Sequence, residues 1–184
     1  MRRGADRLSL LGRATAVLRE RGIPFAVIGA AAMAVHGVSR ATRDLDLLAV
    51  GPAALEPDTW RDFRATGVEV QIRRGDADDP LAGVVRLSAV GEDPIDLVVG
   101  KAAWQADLLG RATESRIEDV GLPVVDRAGL VLLKLYAGGP QDAWDVEQLL
   151  TCPERERVAA EVERVLPLLP PEAWHLWERV RHAD

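Results

Sequence analysis

The order of the secondary-structure signals is the feature that most constrains the fold of this 184-residue chain. Segments whose apolar pattern predicts strands all lie before residue 126. From Arg127 onward the pattern is helical, with interruptions by glycine and proline. Strands that precede a run of helices favour an α+β fold, with a mixed β-sheet flanked by helices, over a doubly wound parallel sheet. We therefore predict an α/β core over residues 1–126 and a helical region over 127–184 that packs on it.

The boundaries of the elements follow from the same patterns. Helices are predicted over 5–21, 30–35, 57–66, 101–111, 127–137, 141–150, 154–166 and 171–181. Strands are predicted over 25–28, 44–50, 68–72, 84–90, 95–99 and 122–125. The turn-forming sequence from Gly91 to Pro94 predicts that the two strands beside it pair with each other.

The composition excludes several classes of protein. A chain with 48% hydrophobic residues is neither disordered nor of low complexity. The net charge of -6 argues against a surface that is basic throughout, although a local basic groove stays compatible with it. No uncharged apolar run approaches the roughly 18–20 residues that span a bilayer, and the start of the chain lacks a secretory apolar segment. We expect a cytoplasmic protein without membrane contact.

Two acidic residues, Asp44 and Asp46, alternate with leucines in the predicted strand over 44–50. Because alternate side chains of a strand point to the same face, the two carboxylates should lie side by side. Like charges so placed repel each other unless solvent or a cation lies between them, and carboxylates are ligands that Mg²⁺ prefers. The alternative interpretation is the solvated face of a half-buried strand.

A third acidic residue, Asp96, lies in the otherwise apolar strand over 95–99. A carboxylate is rarely buried without a partner, so Asp96 either faces water on an edge strand or meets a partner. If its strand lies beside that of Asp44 and Asp46, three carboxylates converge. Such a cluster can hold two Mg²⁺ ions roughly 3.5–4 Å apart, as in phosphoryl transfer.

Gly29 and Ala30 join the first predicted strand to the helix that follows it. A glycine lets the backbone approach a ligand closely, and free N–H groups at such a junction favour an anion such as phosphate. The alternative is a tight structural turn, because strand–glycine–helix junctions occur in many α/β folds.

Taken together, these sequence motifs resemble those of a known group of enzymes. The pattern consists of an apolar residue followed by Gly29 and Ala30, a short gap, the motif Asp44-Leu-Asp46-Leu and the later Asp96. It resembles the pattern of the nucleotidyltransferase superfamily that includes DNA polymerase beta. The full segment Ile28–Leu47 is similar to the AbiEii-type nucleotidyltransferases, the toxins of bacterial type IV toxin–antitoxin pairs. The segments Leu130–Ala137 and Asp142–Leu149 match the lysine-containing helix and the Asp-x-x-Asp helix of that family.

The resemblance implies a role for individual residues. Asp44, Asp46 and Asp96 would bind magnesium, with Asp96 also helping to deprotonate the acceptor hydroxyl. The triphosphate loop would consist of Gly29 and Ala30. Lys134 would reach a phosphate or the leaving group, and Asp142 would support the site from the next helix. Two departures from the family pattern are Ala30, where glycine or serine is usual, and Gly138-Gly139, where relatives often carry an arginine.

The function implied by the resemblance is Mg²⁺-dependent transfer of a nucleoside monophosphate from an NTP to an RNA, such as a tRNA end, or to a protein. A toxin of this type would have an antitoxin as its partner. Two alternatives remain: a nucleotide-binding or partner-binding module without turnover, which the two departures favour, and a metal-dependent phosphohydrolase that uses water as acceptor.

Six further positions have two interpretations each. Arg40 and Arg43 flank the acidic strand, where they either meet triphosphate charge or neutralise nearby acids. His36 ends a helix, and we favour a capping or surface role over nucleotide contact. Trp144, Trp174 and Trp177 have helical spacing, which favours packing in the core over base stacking.

Overall fold

The computed structural model describes residues 9–40, 42, 44–117 and 119–181. In this part of the chain, seven strands form one mixed sheet in the order β3-β4-β5-β2-β1-β7-β6. The strands are β1 Phe25–Val27, β2 Leu45–Val50, β3 Glu69–Arg74, β4 Leu81–Ser88, β5 Ile95–Gly100, β6 Thr113–Ile117 and β7 Val120–Val124. This mixed sheet with flanking helices confirms the predicted fold class.

The helices surround the sheet and make up the last part of the chain. They are α1 Leu10–Glu20, α2 Gly29–Val35, α3 Arg61–Ala65, α4 Ala103–Arg111, α5 Arg127–Ala137, α6 Pro140–Leu150, α7 Arg155–Val165 and α8 Pro171–Val180. The N-cap of α1 is Ser9, whose hydroxyl accepts from the N–H of Gly12. The predicted start of this helix at residue 5 lies outside the described residues. None of the helices in the described residues is long and apolar enough to cross a bilayer.

The strand connections place the acidic segments next to each other. Strands β4 and β5 form the predicted antiparallel hairpin, and β5 then pairs in parallel with β2 on its other side. In this register Asp46 lies directly opposite Asp96. Since facing residues of paired strands point to the same face of the sheet, both carboxylates lie on one face.

The opposite face of these strands is apolar and buried. Leu47 of β2, Leu97 of β5 and Val85 of β4 are at most 1% exposed. They belong to a continuous hydrophobic core that also includes side chains of α1, α5, α7 and α8. Burial of apolar surface stabilises the fold by roughly 25 cal/mol per Å². A slip of one residue in the strand pairing would turn these side chains to the opposite face of the sheet, so the buried core fixes the register of the strands.

Several predicted boundaries differ from the observed ones. The predicted helix over 57–66 is a short 3₁₀ turn, Pro57–Trp60, followed by the five-residue α3, and a further 3₁₀ turn, Pro52–Leu55, precedes it. Strand β4 ends at Ser88, and Val90 is fully exposed beyond it. Strand β6 was not predicted, because this edge strand is mostly exposed and polar and lacks apolar alternation.

Candidate active site

Two strand residues, Asp46 and Asp96, form the centre of the candidate site. The β4–β5 pairing places Arg86 opposite Asp96, and the β3–β4 pairing places Gln71 opposite Arg86. The four side chains Asp46, Asp96, Arg86 and Gln71 therefore form one row across four adjacent strands, which we call the cross-strand row. All four line a cavity of about 590 Å³, together with Arg73, Val84 and Val98. A cavity of this size suits a nucleotide-sized ligand.

Gly29 brings the backbone of α2 into close contact with Asp46. Its φ of +63° lies in the left-handed region, where side chains are disfavoured. A Cβ atom built on Gly29 would overlap the Asp46 carboxylate and would lie 2.8 Å from the Cβ and Cγ atoms of Asp46. In addition, the N–H of Ile28 donates to the carbonyl oxygen of Asp46 at 2.9 Å. The absence of a side chain at position 29 therefore makes room for the central carboxylate.

The environment of Asp46 disfavours its charged form. Burial raises the pKa of Asp46 to about 6, and the neighbouring charge of Asp96 acts in the same direction. The positive charges of Lys134 and Arg40 act on the pKa of Asp46 in the opposite direction. Because burial and the neighbouring carboxylate disfavour the charged form of Asp46, a bound cation would stabilise this site.

Arg86 lies between two of the three acids. Its Nη1 atom is 2.6 Å from Oδ2 of Asp96, and its Nη2 atom is 3.6 Å from Oδ2 of Asp44. The charge of Asp96 above all raises the pKa of Arg86. Sequence reasoning missed this residue. The signal that could have found it is a lone arginine in the apolar strand that pairs with the strand of Asp96.

The donor set fits a hard divalent cation. Asp46 and Asp96 present carboxylate oxygens to one cavity, and Asp44 directly precedes β2 and reaches the same arginine as Asp96. Within the described residues, however, no group of three His, Cys, Asp or Glu side chains is already arranged around one point as a metal site. In this structure the positive charge next to Asp96 comes from Arg86, whereas the sequence predicts a metal ion there.

A buried network of charges lies beside the carboxylates and connects three segments of the chain. Oδ2 of Asp145 on α6 is 2.6 Å from Nζ of Lys134 on α5 and 2.7 Å from Nη1 of Arg40. Lys134 also contacts Oδ1 of Asp142 at 2.9 Å. Asp145 is fully buried. The central acid of this network is thus Asp145, whereas the sequence analysis assigned the supporting role to Asp142.

The charge of Lys134 depends on this network. Burial lowers the pKa of Lys134, but hydrogen bonds to Asp145 and Asp142 outweigh that effect, so that its pKa lies above the ordinary value. Lys134 therefore stays positively charged next to Asp46. Arg40 pairs with Asp145 and acts on the pKa of Asp46, which agrees with the interpretation that it neutralises nearby acids.

Other singled-out residues have structural contacts. Ala30 is 5% exposed, and its methyl group belongs to the interior. The Nε2 atom of His36 is 2.9 Å from the carbonyl oxygen of Val125, in agreement with a structural role. Arg43 lies outside the described residues. The prediction of core positions is right for Trp177 and wrong for Trp144 and Trp174, which are 45% and 42% exposed.

The overall arrangement can be compared with known proteins. No protein-family model matches the chain, and no curated protein matches it. Among solved structures, the antibiotic-resistance factor ANT(2'')-Ia has 15% identity and a TM-score of 0.56, with 94% of this chain and 95% of that chain covered. ANT(2'')-Ia in complex with adenylyl-2''-tobramycin gives a TM-score of 0.57 at 15% identity, with 86% and 96% covered.

A third similar structure comes from Thermotoga maritima. The protein TM1012, a candidate nucleotidyltransferase, has 15% identity and a TM-score of 0.53, with 80% of this chain and 98% of that chain covered. At this level of identity the likeness concerns the fold. The chain has the nucleotidyltransferase fold.

Proposed function

We propose that this protein is a nucleotidyltransferase that transfers a nucleoside monophosphate from an NTP to a hydroxyl group of an acceptor. The observation that carries the proposal is the register of β2 and β5, which sets Asp46 directly beside Asp96 on the open face of a nucleotidyltransferase fold. The close fit between Gly29 and Asp46 supports it, because the chain keeps a left-handed backbone position that suits glycine, with no room for a Cβ atom, next to that carboxylate.

Asp44, Asp46 and Asp96 are the residues we propose to hold Mg²⁺, and two ions would be expected by analogy with two-metal phosphoryl transfer. Bound Mg²⁺ would neutralise charge on the phosphates and on the leaving pyrophosphate. Oδ2 of Asp96 is in contact with the guanidinium of Arg86, so a cation that used this oxygen would displace Arg86 from Asp96. The released arginine would then be available to a phosphate oxygen.

The proposed reaction needs little covalent help from the protein. The acceptor oxygen attacks the α-phosphorus of the NTP, the bond from that phosphorus to the bridging oxygen breaks, and pyrophosphate leaves with the electron pair. The proton of the acceptor hydroxyl passes to the Asp96 carboxylate, which lines the open cavity. Most of the rate enhancement would come from positioning and from neutralisation of charge.

The nucleotide would lie on the α5 and α6 side of the carboxylates. Lys134 keeps its charge there, and Arg40 adds a second cation, so both are proposed to contact the triphosphate. Asp142 would hold Lys134 in place from α6. Gly29 and Ala30 are proposed to border the triphosphate through their backbone, since the methyl group of Ala30 is buried.

The acceptor is proposed to be an RNA, such as a tRNA end, or a protein. A toxin of a toxin–antitoxin pair, with an antitoxin as partner, is the cellular role that the sequence resemblance implies. ANT(2'')-Ia has been solved with adenylyl-2''-tobramycin, so this fold also accommodates a nucleotidylated antibiotic.

A catalytically inactive nucleotide-binding module is the second candidate. Two observations favour it: Arg86 already compensates Asp96 and Asp44, and the side chain of Ala30 offers no hydroxyl for a phosphate. Such a module would bind NTP without transferring it.

The test combines calorimetry with each NTP and transfer of a labelled NTP to cellular RNA and protein. We expect Mg²⁺-dependent transfer by the native protein and a loss of at least about 100-fold in Asp46→Asn. Asp107→Asn, which changes an exposed acid on α4, is the matched control and should retain full activity. Binding without transfer to either acceptor would favour the inactive module, and an unchanged rate in Asp46→Asn would remove Asp46 from the mechanism.

A further inference from the structure

We infer that the β3 and β4 side of the cavity is an acceptor subsite for a nucleic-acid strand, in which Arg73 binds a phosphate of the strand. The inference rests on the proposed function, because it assigns the half of the site that the nucleotide would leave open. Arg73 had no role in the sequence analysis, and it lines the same cavity as Asp46 and Asp96.

The order of the strands divides the site into two halves. On one side of the carboxylates lie β1, the start of α2 at Gly29, and the network of Lys134 and Arg40. On the other side lie β4 and β3, which carry Arg86 and Arg73. If the triphosphate is held at Lys134, the side of the cavity that is left for the acceptor is the one formed by β4 and β3.

The distance across this second half suits a chain of nucleotides better than a single small group. Asp96 and Arg73 lie on strands separated by β4, which corresponds to two strand spacings, or about 10 Å across the sheet. Arg73 is opposite Val84, and Val84 is opposite Val98. Arg73 is therefore also offset from Asp96 by two residues along the strands and lies about 12 Å away. Between them, Val98 and Val84 face each other and provide an apolar floor for a sugar or a base. A strand with its terminal hydroxyl at Asp96 would therefore present an internal phosphate to Arg73.

The charges of this half favour an anion. Asp96 is already compensated by Arg86, and Glu69 accepts a hydrogen bond from the Gln71 amide. Arg73 is exposed and forms no ion pair or side-chain hydrogen bond with the residues described here. An arginine without a protein partner, on the wall of a cavity, is suited to bidentate contact with phosphate. A polycationic acceptor would meet repulsion at this position.

Arg74, the next residue on β3, provides a matched control. Its guanidinium binds the carbonyl oxygen of Leu55 and the carboxylate of Glu56, on the opposite face of the strand. Arg73→Gln and Arg74→Gln remove the same charge from neighbouring positions, but only Arg73 lines the cavity with Asp46 and Asp96.

The experiment measures binding of a fluorescein-labelled single-stranded RNA 12-mer to the full chain, without NTP or metal. We expect Arg73→Gln to weaken binding about three- to tenfold and to reduce the slope of log K against log salt by about 0.7, which corresponds to one phosphate contact. Arg73→Lys should retain most of the affinity, and Arg74→Gln should change it less than twofold.

Equal binding by the native protein and Arg73→Gln, or an equal loss in Arg74→Gln, would overturn the inference. Absence of RNA binding together with transfer of NMP to a protein would overturn it as well and would leave the proposed function intact. Loss of RNA affinity in Arg73→Gln would support the subsite even if no transfer were detected, so the two proposals fail separately.

Discussion

At the scale of single residues, the contact between Gly29 and Asp46 connects the backbone of α2 to the candidate chemistry. Gly29→Ala should lower the free energy of unfolding by about 2–4 kcal/mol, since it adds left-handed strain and displaces the Asp46 carboxylate. Transfer activity should fall at least tenfold in the folded variant. Denaturant unfolding and the labelled-NTP assay measure the two effects.

The control for this prediction is Gly110→Ala. Gly110 lies in α4, and a Cβ atom there would meet no atom within 4 Å. This variant should be as stable as the native protein or more stable, because alanine is the better helix former. A tolerated Gly29→Ala substitution with full activity would show that the close fit at Asp46 has no functional importance.

The raised pKa of Asp46 predicts a particular dependence of stability on pH. The folded state holds the Asp46 proton up to about pH 6, whereas the unfolded chain releases it near 3.8. The stabilisation is therefore fully present below pH 3.8 and is lost as the pH rises through 6. Relative to Asp46→Asn, the metal-free native protein should lose about 1–3 kcal/mol of unfolding free energy between pH 4 and pH 7.

Denaturant unfolding of both proteins at each pH measures this difference, in which the other titrating groups cancel. Asp107→Asn, at an exposed site on α4, should run parallel to the native protein over the same range. If the difference in unfolding free energy between the native protein and Asp46→Asn does not change with pH, the pKa of Asp46 is not raised by burial as the structure indicates.

The sequence identified some residues of the site and missed others for a physical reason. Asp44, Asp46 and Asp96 could be selected because a carboxylate in an apolar strand needs a partner. Arg86 is recognisable as a lone arginine in an apolar strand, but its position opposite Asp96 depends on the register of β4 and β5, which local patterns do not determine. Asp145 was noted as the second acid of the Asp-x-x-Asp helix but was given no role, because its burial results from the packing of α5 against α6 and not from the sequence near it.

At the scale of elements, Asp145 on α6 connects α5 to the segment that follows α2. Asp145→Asn would leave Lys134 and Arg40 without their shared partner in a buried environment. We expect a loss of about 3–5 kcal/mol in the free energy of unfolding, as for other broken buried ion pairs. Asp142→Asn should cost less, since Asp142 is partly exposed and Lys134 keeps Asp145.

Chemical denaturation of the two variants under the same conditions makes this comparison. Equal losses in both variants, or a larger loss in Asp142→Asn, would contradict the central position of Asp145. Nucleotide affinity gives a second readout, because release of Lys134 and Arg40 from Asp145 should change NTP binding more than the removal of Asp142 does.

The elements were predicted well wherever burial on one face produced a clear periodicity. The alternating strands β2 and β5 and the late helices α5 to α8 are examples of such elements. In α8 the buried stripe passes through Ala173, Leu176, Trp177 and Val180, so Trp174 lies beside it and is half-exposed. Trp174 was misassigned because helical spacing shows that two residues share a face, but not which face is buried.

At the scale of the whole molecule, the strand order places two groups of cationic side chains on either side of the carboxylates. The α5–α6 side holds Lys134 and Arg40 within a buried network, and the β3–β4 side holds Arg86 and Arg73 at an open cavity. The order of elements along the chain suggested a mixed sheet, but the position of β5 between β4 and β2 follows from long-range pairing. This position brings Asp46 and Asp96 together.

The central claim is that Asp46 and Asp96 form a cation-binding pair used for nucleotidyl transfer. The most direct test is anomalous diffraction from crystals soaked with Mn²⁺ and a non-hydrolysable NTP analogue. We predict a manganese peak within coordination distance of Asp46 and Asp96, the triphosphate near Lys134, and Arg86 withdrawn from Asp96. Manganese elsewhere, with the contact between Arg86 and Asp96 intact and the analogue bound away from Lys134, would contradict the claim.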